Sequence, residues 1–418
     1  MMATANYTAP EVVARYRGRA LLVGAAALAV GLVLAFLMGG VVQVFRSWLT
    51  GFVFCTGLAV GSLAWLMLGH MSGGAWAITS RRLFEAAART VPLVALMFIP
   101  VVVALFVHPH AAGHEHGESL YEWSNHYYAE HDPIIRWKRP YLNEPFFIIR
   151  GLVYFAVWFA MAYLMSKWSR EQDASGDPRI RRRMQDWSGP GLLLFGLTVT
   201  FAAIDWGMSL EPHWFSTIYG LILMAGWGLS ALALAITVAA FLSRHEPMSH
   251  AYQPLHFHDW GKLLLAVVML FAYFSFSQFL IIWAGNLPEE IPFYLRRLRH
   301  GWQYVGLALI LFHFALPFAL LLSRGLKRTP RLLRHVAVLM LFMRAVDLVF
   351  LFAPSAHQGG EAEFHAVDLL RHFLPMLAVT AGLGGIWLWY YFGQLVSRPL
   401  LPLGEPNLDK AIAATEHH

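Results

Sequence analysis

Ionisable side chains inside long apolar runs are the first candidates for chemistry, because holding a charge in hydrocarbon is costly. Asp205, His313, Arg344 and Asp347 lie in such runs, and Glu211 and His213 close the run that holds Asp205. Asp205 precedes Pro212 by seven residues and Asp347 precedes Pro354 by seven. Arg344 stands one turn before Asp347, so the two can pair on one helix face. A carboxylate beside a guanidinium stays ionised and is a poor proton relay. Arg344 and Asp347 therefore read first as a structural ion pair. Asp205 has no basic residue within a turn of its own helix and reads as the better proton carrier. Asp205, Asp347, His313, Glu211 and His213 are the proton-path candidates of the chain. The plain alternative is that they are satisfied contacts between helices.

Other chemistries find less support. Cys55 is the one cysteine, which excludes an internal disulfide, a Cys-ligated iron–sulfur cluster and a CxxCH haem site. A haem held by two histidines needs imidazoles at one depth on facing helices. His70, His245, His335 and His372 fall at run ends, and His313 has no evident partner at mid-depth. No cofactor is therefore expected in this chain. Residues 108–144 hold His108, His110, His114, His116, His126 and His131 among acids. The spacing of His114 and His116 suits a divalent metal, but the stretch reads more simply as a solvated, partner-facing loop. No phosphate-cradling loop, nucleophile elbow or zinc motif is present.

The elements that must position these residues are membrane helices. Of 418 residues 58% are hydrophobic and 13% charged, where a soluble domain carries about 25% charged residues. The mean hydropathy is +0.52. A bilayer-crossing helix needs roughly 20 apolar residues. Ten runs qualify, at about 20–38, 48–70, 91–107, 146–166, 190–210, 216–242, 263–284, 302–323, 335–353 and 373–395. Unbroken runs without alternation exclude a β-barrel. With the N-terminus inside, 21 Lys and Arg fall on the inner side and nine on the outer, which places both termini in the cytoplasm. The net charge of +6 sits in short loops and on this pattern is no nucleic-acid signal. The inner cluster Arg179 to Arg183 reads as topology and anionic-lipid contact.

A weak internal repeat runs through the spans. Pro145-Phe146-Phe147-Ile148-Ile149-Arg150 and Pro292-Phe293-Tyr294-Leu295-Arg296-Arg297 both lead into outside-to-inside helices. The two Asp-to-Pro spacings recur in the same phase. The fold expected is all-α and polytopic, with about ten transmembrane helices in two tandem four-helix bundles plus two flanking helices. The segments are 1–47 with the first helix, 48–210 as the first bundle, 211–353 as the second, and 354–418 with the last helix and tail.

Three stretches resemble a known family. They are Asp205-Trp206-Gly207-Met208-Ser209-Leu210-Glu211-Pro212-His213-Trp214-Phe215-Ser216-Thr217, Gly285-Asn286-Leu287-Pro288-Glu289-Glu290 and Leu142-Asn143-Glu144-Pro145-Phe146-Phe147-Ile148-Ile149-Arg150. They are similar to the ActF-type membrane subunit of alternative complex III, a relative of the NrfD and polysulfide-reductase membrane subunits. The resemblance covers about residues 48 to 395. It implies a subunit of a quinol:electron-acceptor oxidoreductase of the bacterial inner membrane. Haem c and iron–sulfur clusters would sit on partner subunits, and the quinol pocket on an ActC-like sister subunit. This chain would serve assembly and proton translocation. Asp205, Glu211, His213 and Glu289 carry over with the matching motifs. Two further readings stand beside this one, an NrfD-like quinol-binding subunit and a secondary transporter.

The charge asymmetry yields a direct test. Single cysteines replacing His116 and Arg182, each in a Cys55→Ser chain, should react with a membrane-impermeant reagent from opposite sides. Labelling from one side would overturn the span count or the orientation.

Overall fold

The computed structural model describes residues 7–109, 117–356 and 366–413. His110, His114 and His116 lie outside the described residues. Among the described residues the regular structure is helical, with no strand. Nine helices among the described residues are long and apolar enough to cross a bilayer. They are α1 Glu11–Ser72, α2 Ala75–Phe106, α3 Glu144–Ser175, α4 Pro178–Leu210, α5 Tyr219–Leu242, α6 Pro254–Gly285, α7 Trp302–Leu322, α8 Pro330–Phe352 and α9 Ala366–Val396. The protein is an all-α polytopic membrane protein.

The count of ten spans is recovered because α1 is two spans. Its 62 residues would extend about 93 Å if straight, three times the roughly 30 Å of hydrocarbon. Gly39 and Gly40 break the helix, and Gly40 takes φ 67°, open to a residue without Cβ. The chain reverses there. Gly24 packs on Gly385 and Gly31 on Val379, so the first arm runs antiparallel to α9. Gln43 bonds His372 at 2.8 Å and Gly51 packs on Leu383, so the second arm runs parallel to α9. The Gly39–Gly40 turn, residues 117–143 and the starts of α3, α5, α7 and α9 share one end of the molecule, here the upper end.

The second arm of α1 packs with α2, α3 and α4, while α5 packs with α6 and α8, and α7 with α6 and α8. α5 joins the two groups, touching α1 and α4 as well. Its apolar window is 78% buried, against 22% in α6 and α7, which places α5 at the centre and α6 and α7 at the periphery.

Residues 117–143 depart from the solvated loop that their composition suggests. They form a lid on the upper end. Asn125 and Asp132 cap short helices His126–His131 and Pro133–Lys138. Tyr121, Trp123 and Ile135 are buried, and Tyr121 and Trp123 rest on Phe147. The aromatic and aliphatic residues between the charges supply the apolar burial that holds the lid down.

The α1–α9 contact depends on missing side chains. A Cβ on Gly382 would meet the Leu28 backbone at 2.5 Å, and one on Gly24 the Gly385 backbone at 2.8 Å, while Gly384 faces open space. Gly385→Leu should destabilise by about 1–3 kcal/mol through overpacking, read as a lowered thermal midpoint. Gly384→Ala should leave the midpoint near that of the parent. Equal midpoints for all three chains would contradict this packing.

Candidate functional site

Buried charges gather at the upper end in two bonded centres, and a third reaches toward mid-membrane. The first is built by α3 and α4. Asn143 caps α3, its side chain accepting from the Phe146 amide, and Arg150 follows two turns later. Arg150 donates from Nε to Asp205 Oδ2 at 2.9 Å and from Nη2 to Asp205 Oδ1 at 2.8 Å. Tyr154 donates its hydroxyl to Oδ2 at 2.7 Å. Arg150 also donates to the Tyr141 carbonyl, and its guanidinium lies over the Tyr141 ring at 3.9 Å. Asp205 is fully buried. Its carboxylate is thus met by a two-point guanidinium and a phenol, a strong charge-assisted arrangement. This corrects the expectation that Asp205 lacks a basic partner. The partner comes from the neighbouring helix, not from a turn away on its own.

The second centre is Glu211, just past α4. It accepts from Arg296 Nη1 and Arg297 Nη2, each at 2.9 Å. Arg297 also donates to the carbonyls of Phe350 and Leu351. These belong to the last turn of α8, whose carbonyls have no partner within the helix. The repeat is therefore asymmetric. Arg150 sits inside α3, but Pro292 starts a separate helix, Pro292–Arg297, broken from α7 by His300 and Gly301 at positive φ. Arg297 consequently reaches Glu211, while Asp347 pairs elsewhere.

The third centre lies deeper. Arg344 Nη1 bonds Asp347 Oδ2 on α8. Gly226 on α5 leaves the space that the guanidinium fills, since a Cβ there would collide with it. Arg344 Nε and Nη2 find no hydrogen-bond partner among the described residues. His313 on α7 is 2% exposed, and neither of its ring nitrogens has a hydrogen-bond partner among the described residues. Phe271 packs on His313 at 4.7 Å between ring centres and lies 5.7 Å from the Arg344 guanidinium. His313 stands in a π-helical stretch, Leu309–Ala315. Pro317, four residues on, has no N–H to give the His313 carbonyl, which accounts for the widened turn. Tyr219 opens α5 and packs edge-on against Trp214, three residues past Glu211. Its hydroxyl packs at Gly207, so Tyr219 stands between the second and third centres.

His213 bonds Asp132 of the lid at 2.7 Å. Burial raises the Asp132 carboxyl, but the Ile135 and Ile134 amides and His213 outweigh it and hold the group below the usual range. The stabilisation is therefore present above the ordinary aspartate range and is lost as pH falls through the lowered value. Glu289 is exposed in the turn after α6 and makes no ion pair among the described residues. No group of three metal-ligating side chains occurs among the described residues.

A network at the opposite, lower end escaped the sequence reading. Glu85 bonds Arg81 at 2.9 Å and also pairs with Arg82, and Ser169 donates to it at 2.6 Å. Arg81 Nη1 lies 3.4 Å from Glu405, Gln172 donates to Glu405 at 3.1 Å, and the Gly404 amide donates to Asp173. These contacts bind the tail beneath α2 and α3. The Arg-Arg-x-x-Glu spacing of Arg81, Arg82 and Glu85 was the available signal.

No family model matches the chain, and no curated protein matches it. What fold and site together define is a polytopic α-helical membrane protein with charge pairs buried near one end of its spans.

Removing one partner of a buried pair costs about 3–5 kcal/mol, because the other charge is left stranded. Arg150→Gln and Asp205→Asn should each sharply lower stability, and the double variant should lose less than the sum of the two. Unfolding followed across the four chains checks this; strict additivity would mean that the pair is not coupled.

Proposed function

We propose that the chain is a cofactor-free integral membrane subunit of a quinol-oxidising respiratory complex of the alternative complex III type. It sits in the bacterial inner membrane with its lower end and both termini in the cytoplasm. The observation that carries this reading is convergence. Two of the stretches that resemble the ActF-type subunit meet in the first buried centre, through Arg150 of one and Asp205 of the other. The longer stretch also supplies Glu211, which ties α4 to Arg296 and Arg297. Residues that carry a family motif and also hold one another in place fit a scaffold whose upper end is shaped for docking. The redox centres belong to partners: an iron–sulfur subunit, multihaem cytochrome subunits and an ActC-like sister subunit that holds the quinol.

Within that role the third centre suits proton movement and the first does not. Every oxygen of Asp205 is engaged by donors, so protonating it breaks a two-point ion pair. Asp347 has one guanidinium partner that is itself incompletely bonded, and His313, across Phe271 from that guanidinium, has an imidazole without a hydrogen-bond partner among the described residues. Asp347 and His313 are the groups able to take up and release a proton, with Tyr219 on the side of the upper surface; Glu211, like Asp205, has both oxygens held by guanidinium and is a structural charge. Arg344 sets the charge that Asp347 carries.

The tagged chain, extracted mildly from its own membrane, should come with multihaem and iron–sulfur polypeptides. Recovery as a stable single chain would contradict the assignment and favour a transporter. In proteoliposomes the assembled complex carrying His313→Gln should keep most quinol oxidation and show a lower proton-to-electron ratio. An unchanged ratio would remove His313 from the path.

A further inference from the structure

Carboxylates at the lower end do not balance the guanidiniums there. Glu85 is engaged by Arg81, Arg82 and Ser169, Asp173 by Arg82, and Glu405 by Arg81 and Gln172. Three further arginines converge on the same place from three elements. Arg89 of α2 donates to Gln394 and to Ser397 Oγ. Arg398, just past α9, donates to the Ser166 carbonyl at 3.3 Å and to Ser166 Oγ at 3.0 Å, with Glu85 no nearer than 3.8 Å. Arg170 of α3, one turn below Ser166, is exposed and makes no ion pair among the described residues. Thus, among the described residues, no carboxylate lies within hydrogen-bond distance of the three, and the oxygens they do reach are neutral. Arg398 feels the crowding. Burial first, and then Arg89, Arg82 and Arg170, lower it to about 10, against the pull of Glu85.

The surface above the cluster is apolar. Leu96, Ile99 and Val103 are exposed on α2 above Arg89, and Phe159 and Tyr163 are exposed on α3 above Arg170. Positive charge at the foot of two lipid-facing strips matches a lipid: an anionic headgroup joined to acyl chains. Guanidiniums recognise phosphate oxygens by paired, charge-assisted hydrogen bonds.

We propose that Arg89, Arg170 and Arg398 form a binding site for an anionic phospholipid of the lower leaflet. The phosphate lies between Arg170 and Arg398 and the acyl chains follow the strips on α2 and α3. Three guanidiniums favour a headgroup with two phosphates, of the cardiolipin type, over one with a single phosphate. The site differs from the Arg179–Arg183 cluster, where Arg182 pairs with Asp186 on its own helix and the side chains are spread along α4.

The test uses the delipidated protein in its native assembly, with thermal midpoint as readout. Added lipids are cardiolipin, phosphatidylglycerol or phosphatidylcholine in mixed micelles, and inorganic phosphate is a separate arm. The parent should gain several degrees from cardiolipin, less from phosphatidylglycerol and nothing from phosphatidylcholine or phosphate. Arg170→Gln removes a side chain with no internal ion pair, so the protein should fold normally and need at least ten-fold more cardiolipin for half the gain. Arg170→Gln with Arg398→Gln should abolish the gain, while Arg183→Gln should not change it. A parent that gains nothing from cardiolipin, or equal gains in parent and Arg170→Gln, would overturn the site. A gain from inorganic phosphate equal to that from lipid would overturn the lipid as its ligand.

Discussion

Arg150 and Asp205 set the terms for the upper end of the molecule. A carboxylate in an apolar medium is tolerable only when its lone pairs are met, and a guanidinium only when its fork is filled. Bringing the two together requires α3 and α4 to lie side by side with their upper ends level. The cap at Asn143 fixes where α3 starts, and Tyr154 and the Tyr141 carbonyl take the remaining valences. The aromatic cluster around Trp206 then packs against Phe52, Phe98, Phe155 and Trp158. The lid closes over it through Tyr121, which donates to the Trp206 carbonyl. Position, bonding and burial all hold the first centre to one arrangement.

The third centre is built the other way. Its pair lies within one turn of α8, so it forms without demanding a particular helix–helix register. The deeper residues come from α5, α6 and α7, and the last is widened where Pro317 withholds its N–H. A centre assembled across several helices, with ring nitrogens and guanidinium nitrogens unmet among the described residues, has room to change its bonding. Rigid at α3–α4 and adaptable at α7–α8 is the contrast on which the proposed roles rest, assembly for Asp205 and proton exchange for Asp347 and His313.

The helical class and the spans were legible because a hydrocarbon slab imposes length and composition on each segment directly. The Gly39–Gly40 reversal was legible only as a gap between two runs. That α9 packs along both arms of α1 is tertiary information. The buried residues themselves stood out by type: Asp205, Asp347, Arg344 and His313 are costly wherever they lie. Their partners did not. Arg150 and Asp205 are 55 residues apart, and a search confined to one helix face cannot find such a pair. Arg150 stood in the repeated Pro-Phe motif, and its recurrence as Arg297 was the available hint of a structural duty. The lid was misread for a related reason. Its charged residues and histidines are interleaved with aromatic and aliphatic ones, and no period marks Tyr121, Trp123 and Ile135 as those that turn inward.

Infrared difference spectroscopy of the assembled complex, oxidised minus quinol-reduced, tests the account most directly, because a protonated buried carboxyl absorbs apart from a carboxylate. The account predicts a redox-linked carboxyl band that disappears in Asp347→Asn and carries no contribution from Asp205, whose two oxygens are held by Arg150 and Tyr154. A band that survives Asp347→Asn and is lost in an assembled Asp205→Asn complex would reverse the two roles and contradict the account.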